Sequence, residues 1–289
     1  MKKFKSASLP ANILAVVEDK GTELPFSGTY NDFGESGTYL CRCCGLALFR
    51  SQTKFHSGCG WPSFDEELTG AVSYKTDADG KRTEILCSRC AAHLGHVFAG
   101  EGFTAKNTRH CVNSLSLDFV SSLEVSDTEE AIFAAGCFWG VEHLFKQLPG
   151  VLKTEVGYIG GHQQQPTYQE VCAGNTGHLE ALRVVYDPTR LSYKQAVMYF
   201  FEIHNPTQSN GQGPDLGDQY RSAIFCYDAK QLEVADALIQ ELMQMKYQVT
   251  TELLPVSTFW PAENYHQNYY AKNGQAPYCH AYVKKFKLT

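Results

Sequence analysis

Residues 131–148, AIFAAGCFWGVEHLFKQL, decide how the second half of the chain is read. AIFAA (131–135) has the unbroken apolar character of a short buried strand. Val141, Leu144, Phe145 and Leu148 fall at i, i+3, i+4 and i+7, one face of a helix. The glycines of GCFWG (136–140) mark the turn between the two. Cys137 is thereby expected at a helix N-terminus, where unsatisfied N–H groups and the positive end of the dipole favour thiolate over thiol. Such sites bring a cysteine from about 8.5 to roughly 3.5–7.5. Phe138 and Trp139 would form an apolar seat for whatever that sulfur attacks. The alternative is a structural cysteine buried among core aromatics.

Outward from this stretch, 289 residues with 43% hydrophobic content suffice for two domains with their own cores. A net charge of -6 argues against a polyanion-binding surface, which needs clustered Lys and Arg, so nucleic acid is not an expected partner. The apolar run from Ile13 to Val17 is too short for a signal peptide, and no stretch approaches the length of a membrane span. A soluble, cytoplasmic protein is the expectation. Eleven cysteines in that setting point to metal ligation and redox chemistry rather than a disulfide framework.

The polar, acidic segment SSLEVSDTEE (121–130) separates two compositionally different halves. Domains at 1–122 and 129–289 are expected, with 123–128 as a linker that lets them move independently. The first half, rich in Gly and aromatics with short alternating runs such as GTYLC and SLSLDF, reads as mostly β. In the second, helical patterns (141–148, 193–204, 231–245) alternate with strand patterns (182–187, 221–227), an α/β or α+β organisation.

Cys41 and Cys44, with Cys87 and Cys90, form two CxxC pairs, the spacing at which thiolates on tight turns share one tetrahedral ion. Four sulfurs favour a structural zinc. The stretch between the pairs exceeds the 15–20 residues typical of a zinc ribbon, so intervening strands must bring two hairpin ends together. Cys43, between the paired residues, reads as a bystander.

Three further segments of this half, SGCGWPSF (57–64), HLGHVF (93–98) and RHCVNSLSL (109–117), resemble the B-type methionine sulfoxide reductases, as does GTELPFSG (21–28). The resemblance implies Cys111 as nucleophile and Cys59 as the cysteine that resolves its oxidised form. It further implies that His93, His96 and Asn113 frame the sulfoxide, that Trp61 receives the substrate methyl, and that Arg109 stands before the nucleophile. His110 and His56 depart from the family's usual aromatic and acid, and both read as structural.

GCFWG, PTYQEVCAGNTGHLEALRVVYDP (166–188), DLGDQYRSAIF (215–225) and PAENYHQNYY (261–270) resemble the A-type methionine sulfoxide reductases in order and throughout the second half. That similarity implies Cys137 as nucleophile, Phe138 and Trp139 as the aromatic seat, and Glu180 as the acid. Tyr168, Tyr220 and Asp215 would surround the sulfoxide oxygen, and Cys279, on a flexible tail, would be the resolving thiol. The chemistry supplies its own reason for these types. Sulfoxide oxygen departs poorly until protonated, so a buried neutral carboxylic acid and tyrosine hydroxyls suit it, and a sulfenic acid condenses readily with a nearby thiol. Cys172 and Cys226 match no motif position and read as packing residues.

Together the resemblances imply a mainly-β, zinc-containing B-type domain followed by an α/β (α+β) A-type domain with a central mixed sheet. The implied activity is reduction of methionine sulfoxide, free or in proteins, with the S epimer at the C-terminal site and the R epimer at the N-terminal one. Thioredoxin or another dithiol is the implied reductant. Two other classes remain open from the residues alone: Cys-His acyl transfer or hydrolysis, which would not require Cys59 and Cys279, and a zinc-ribbon binding module.

Overall fold

A computed structural model describes residues 8–77, 80–275 and 277–286. The chain divides into two compact units, Met1–Thr128 and Glu129–Thr289. The outermost residues of the two expected domains, 1–7 and 287–289, lie outside the described residues.

The N-terminal unit opens with a short helix, α1 (Ala11–Val17), and is otherwise built from β1 (Thr38–Cys41), β2 (Ala47–Arg50), β3 (Lys54–Phe55), β4 (Ser63–Phe64), β5 (Val72–Thr76), β6 (Thr83–Cys87), β7 (His93–Ala99), β8 (Thr108–Val112) and β9 (Leu117–Val120). These strands form a three-stranded sheet, β2-β1-β9, and a six-stranded one, β3-β4-β8-β7-β6-β5. Every pairing in them is antiparallel. Tyr39, Phe49, Phe64, Ile85, Leu94 and Val112 are fully buried in its core. Within that core Phe49 and Phe64 stack at 4.4 Å.

Gly95 matters for the register of the larger sheet. A Cβ there would lie 2.0 Å from the Cys111 carbonyl oxygen, so only glycine lets β7 approach β8 at this point. The approach pairs His96 with Cys111 directly across the strands.

The C-terminal unit contains β10 (Glu129–Ala135), α2 (Phe138–Phe145), β11 (Val151–Ile159), α3 (Tyr168–Cys172), β12 (Leu179–Tyr186), α4 (Tyr193–Ile203), β13 (Gly211–Gln212), β14 (Asp215–Leu216), β15 (Ser222–Cys226), α5 (Ala229–Gln244), β16 (Glu252–Pro255), β17 (Trp260–Pro261) and α6 (Tyr269–Asn273). Its central sheet runs β16-β15-β10-β12-β11-β17, with β15 and β16 parallel and the other neighbours antiparallel, the expected mixed sheet. Ser192 and Gln195 form a capping box that starts α4, and the Asp228 side chain caps α5. Both helices bury apolar stripes against the sheet around Phe133, Phe200 and Leu238.

The acidic segment expected to be a free linker is instead fastened to the N-terminal unit. Arg50 Nη1 donates to the Val125 carbonyl at 2.8 Å, Arg89 pairs with Asp127 at 2.6 Å, and the Thr128 hydroxyl donates to the Gly45 carbonyl at 2.9 Å. Val125 and Thr128 are buried. Composition alone missed this because the anchors, Arg50, Arg89 and Gly45, are remote in sequence.

Candidate active sites and metal centre

The two CxxC pairs lie at the β1–β2 and β6–β7 turns, whose geometry is the same: Gly45 N–H donates to Cys41 O and Ala91 N–H to Cys87 O, each at 2.8 Å. The turns meet, leaving Cys41 and Cys90 sulfurs 3.6 Å apart and Cys44 and Cys87 sulfurs 3.5 Å apart. All four Sγ atoms are buried and lie within 4.8 Å of one another, a donor set that suits a closed tetrahedral ion. Cys43, also buried, is outside this group.

The second constellation of this unit is built on β7 and β8. Cys111 on β8 sits 3.7 Å from Cys59 in the loop before β4, sulfur to sulfur. Ser57 Oγ, 2.8 Å from Ser63 Oγ, donates to Cys59 Sγ at 3.0 Å. The Cys59 thiol is held down at about 4, chiefly by its hydrogen bond with Cys111, with Ser57 assisting. The same hydrogen bond, with burial, pushes Cys111 up, while the Arg109 guanidinium opposes the rise. The two sulfurs thus titrate as a pair, each setting the other's proton affinity. Arg109 is fixed by a bidentate pair with Glu101 at 2.6 and 2.9 Å and lies over Phe98.

His93 is buried with Nδ1 2.8 Å from Glu84 Oε1, so Nδ1 donates, and Nε2 has no partner among the described residues. Burial lowers its pKa, which keeps the ring neutral. His96 donates from Nε2 to Asp77 at 3.0 Å and packs edge-on against His93. Asn113 is tied to backbone on both sides: its carbonyl accepts from Glu23 N–H at 3.1 Å and its amide donates to Leu94 O at 3.2 Å. Trp61 donates from Nε1 to the Glu23 carbonyl at 3.1 Å.

Glu23 is the residue that reasoning from sequence left without a role. Its buried carboxylate accepts the backbone N–H of Ser114 and, at 3.1 Å, of Leu115, fixing the turn that follows Asn113. Its only sequence signal was membership of GTELPFSG.

In the C-terminal unit, Cys137 is the residue immediately before α2, as expected, and Glu180 on β12 accepts from the Phe138 N–H at 3.0 Å. Glu180 is 1% exposed, and burial raises its carboxyl well above the usual range, with the nearby Cys137 and Asp215 adding to the rise. The expected acidic Cys137 thiol is not found. The backbone N–H of Trp139 does pull its pKa down, but the hydrogen bond with Cys279, followed by burial, pushes it up by more. The helix terminus is the smaller effect because the partner sulfur is adjacent and water is largely excluded.

Cys137, Cys279 and Asp215 present donor atoms all within 4.8 Å of one another. The stretch carrying Cys279, expected to be flexible, is anchored among the described residues. His280 Nε2 donates to Ala135 O at 2.6 Å, the Val283 N–H donates to Glu202 O at 2.7 Å, and Phe286 is buried. The Nε2 proton leaves Nδ1 as an acceptor, 3.0 Å from Cys279 Sγ. This docking depends on Gly140, where a Cβ would lie 2.3 Å from His280 Nδ1.

Phe138 is fully buried beside Tyr158 and His266, and Trp139 stacks on Tyr269 at 3.7 Å while donating to His266 Nδ1 at 3.0 Å. Glu263 accepts from the Tyr158 hydroxyl and from the Tyr168 backbone N–H, both at 2.9 Å, and so sets the start of α3. The Tyr168 and Tyr220 hydroxyls are both held protonated, mainly by burial. Asp215 accepts from the Tyr278 hydroxyl at 3.1 Å. Glu263 and His266 were singled out by no residue-level reading, although both lie in PAENYHQNYY. Cys172, expected to be a packing residue, is exposed at the end of α3, whereas Cys226 is buried as expected.

Two centres, each pairing a thiol on a sheet strand or at a helix start with a second thiol on coil, define a thiol oxidoreductase. The comparisons identify the kind. Residues 129–288 match the family described as peptide methionine sulfoxide reductase, and residues 9–121 match the SelR domain. The chain belongs to the peptide methionine sulfoxide reductase family. It is 51% identical over 149 residues to a peptide methionine sulfoxide reductase MsrA of Methanosarcina acetivorans, covering 50% of this chain and 79% of that protein. It is 50% identical over 153 residues to the MsrA of Pasteurella multocida, covering 53% and 88%. Among solved structures, reduced Mxr1 from Saccharomyces cerevisiae matches with a TM-score of 0.51 and 34% identity, over 54% of this chain and 92% of that one. The protein is an oxidoreductase that reduces methionine sulfoxide with thiols.

Proposed function

We propose that the two thiol centres divide the two sulfoxide epimers between them, the C-terminal site taking S and the N-terminal site R, in free methionine sulfoxide or in oxidised proteins. Sulfoxide sulfur is chiral and one enzyme type serves each epimer. The observation that carries the reading is the duplication of paired thiols, Cys59 with Cys111 at 3.7 Å and Cys137 with Cys279 in the other unit.

At the C-terminal site the Cys137 sulfur attacks the sulfoxide sulfur. Glu180, protonated because it is buried, gives its proton to the sulfoxide oxygen, and the Tyr168 and Tyr220 hydroxyls donate to that oxygen as charge builds on it. The oxygen passes to Cys137 as sulfenic acid, the thiol's own proton returns Glu180 to its acid form, and methionine leaves. Cys279 then attacks the sulfenic sulfur, a disulfide forms and water is released. At the N-terminal site Cys111 attacks, with Arg109 favouring its thiolate once substrate separates it from Cys59. His93 and His96 face the reacting oxygen, and Cys59 resolves. Asn113 and Glu23 position the site through backbone hydrogen bonds, and Trp61 receives the methyl group.

A dithiol, thioredoxin being the family's implied reductant, returns each disulfide to two thiols. Cys41, Cys44, Cys87 and Cys90 would hold one structural zinc, whose contribution is to lock the two turns together.

The test is activity of Cys137→Ser and Cys111→Ser chains on separated epimers, each variant losing one epimer only. Loss of both in either folded variant would refute the division. Thiol counting after one equivalent of sulfoxide, without reductant, separates this chemistry from hydrolysis: two thiols disappear per site in the redox cycle and none in the alternative.

A further inference from the structure

Among the described residues, groups of three or more potential metal donors converge in two places: the four-cysteine group, and Cys137 with Asp215 and Cys279. Around one tetrahedral zinc-like ion, neighbouring sulfur and oxygen ligands stand roughly 3.6–3.8 Å apart. The second trio already lies within 4.8 Å, from three separate parts of the fold: the residue before α2, β14 and the C-terminal coil.

We propose that Cys137, Cys279 and Asp215 form a second metal site, taking a soft divalent cation of the zinc or cadmium class, and that an ion held there reversibly blocks the C-terminal reductase site. Two thiolates and a carboxylate suit such an ion, each thiol giving up its proton on ligation. Three protein ligands leave a fourth position for water, as in open zinc sites.

The surroundings orient these donors. The Tyr278 hydroxyl donates to Asp215 Oδ1 at 3.1 Å, the Trp139 N–H is directed at Cys137, and His280, pinned to Ala135, stands behind Cys279. Such outer hydrogen bonds fix ligand geometry. The other thiol pair makes an informative contrast. Cys59 and Cys111 lie 3.7 Å apart, but the charge beside them is the guanidinium of Arg109, and among the described residues no third donor joins them. A cation meets a carboxylate donor at one pair and, at the other, a guanidinium that is itself paired with Glu101.

An ion on Cys137 removes the electron pair that attacks sulfoxide, and an ion on Cys279 prevents disulfide closure. The binding claim stands on the donors alone; the blockade also rests on Cys137 as nucleophile.

The test uses the full, reduced chain with its four-cysteine group metal-loaded, titrated with cadmium ion alone and followed by the thiolate-to-cadmium absorbance. One further equivalent binds to the wild type and to Cys59→Ser. Asp215→Asn weakens it by about tenfold or more, and Cys279→Ser by about a hundredfold. Unchanged far-ultraviolet circular dichroism shows that the variants remain folded. Full-strength binding in Cys279→Ser, or loss in Cys59→Ser instead, would overturn the site. For the blockade, single-turnover reduction of sulfoxide by Cys111→Ser, without added dithiol, stops at one bound equivalent and returns on chelation. Undiminished reduction with the ion bound would overturn it, whereas no reduction even without cadmium would fail the assignment of Cys137 instead.

Discussion

Glu180 accepts a hydrogen bond from the backbone N–H of Phe138, the residue after Cys137, at 3.0 Å. The acid is thereby held beside the sulfur by the same turn that positions it. The bond favours the carboxylate, yet burial and the neighbouring Cys137 outweigh it and keep the proton on.

Glu180→Gln is expected to slow the C-terminal site by about 10²–10⁴-fold, the usual range for a lost general acid. A kcat loss with little change in KM marks the role, measured on the S epimer. In the wild type, activity falls as pH rises through the Glu180 pKa. Stability falls in the same direction, because the unfolded carboxyl ionises from near 4.5 while the folded one does not. The glutamine variant lacks this loss, so its stability relative to wild type rises with pH, which denaturant melts across pH would show.

Gly140→Ala separates attack from resolution. The added Cβ would collide with His280, displacing the segment that carries Cys279. One methionine is expected per Cys137 in a single turnover, with no disulfide and little steady-state turnover on dithiol reductant. A normal steady-state rate would show that the segment relocates without harm.

Glu23→Ala leaves the Ser114 and Leu115 N–H groups without their buried acceptor. It is expected to destabilise the N-terminal unit by about 1–3 kcal/mol. R-epimer activity falls and S-epimer activity does not. Glu23→Gln, which keeps an acceptor, restores part of both losses.

Cys87→Ser is expected to release about one zinc per chain and unfold the N-terminal unit while sparing Cys137-dependent activity. The chemical shifts or proteolysis of the segment 122–128 report the same event. Its anchors Arg89 and Gly45 belong to the cysteine turns, so the strap loosens when the turns do.

Much of the frame was readable from periodicity. AIFAA lies within β10, the 193–204 and 231–245 patterns became α4 and α5, and 221–227 contains β15. These are local signals, set by which face an apolar side chain must bury. What the sequence hid was pairwise and remote. The thiol pKa values depend on sulfurs 52 residues apart at Cys59 and Cys111, and the helix terminus at Cys137 loses to a partner in the C-terminal coil. Glu23, Glu263 and His266 act through backbone and ring contacts, and nothing in their residue types announces this. The cysteine pairs were legible as a metal site because CxxC spacing is itself local.

Cys137 opens the first helix of its unit, and Cys279 lies in the coil after the last. A bond between them would turn almost the whole C-terminal unit into a closed ring. On the chain-entropy argument such a ring stabilises the fold by roughly 5 kcal/mol, against about 4 for the shorter Cys59–Cys111 loop. Each catalytic turn would therefore stiffen the unit that performed it, and the reductant would regenerate not only two thiols but also a molecule free to unfold. The melting temperature would then serve as a gauge of how far the enzyme has been recharged.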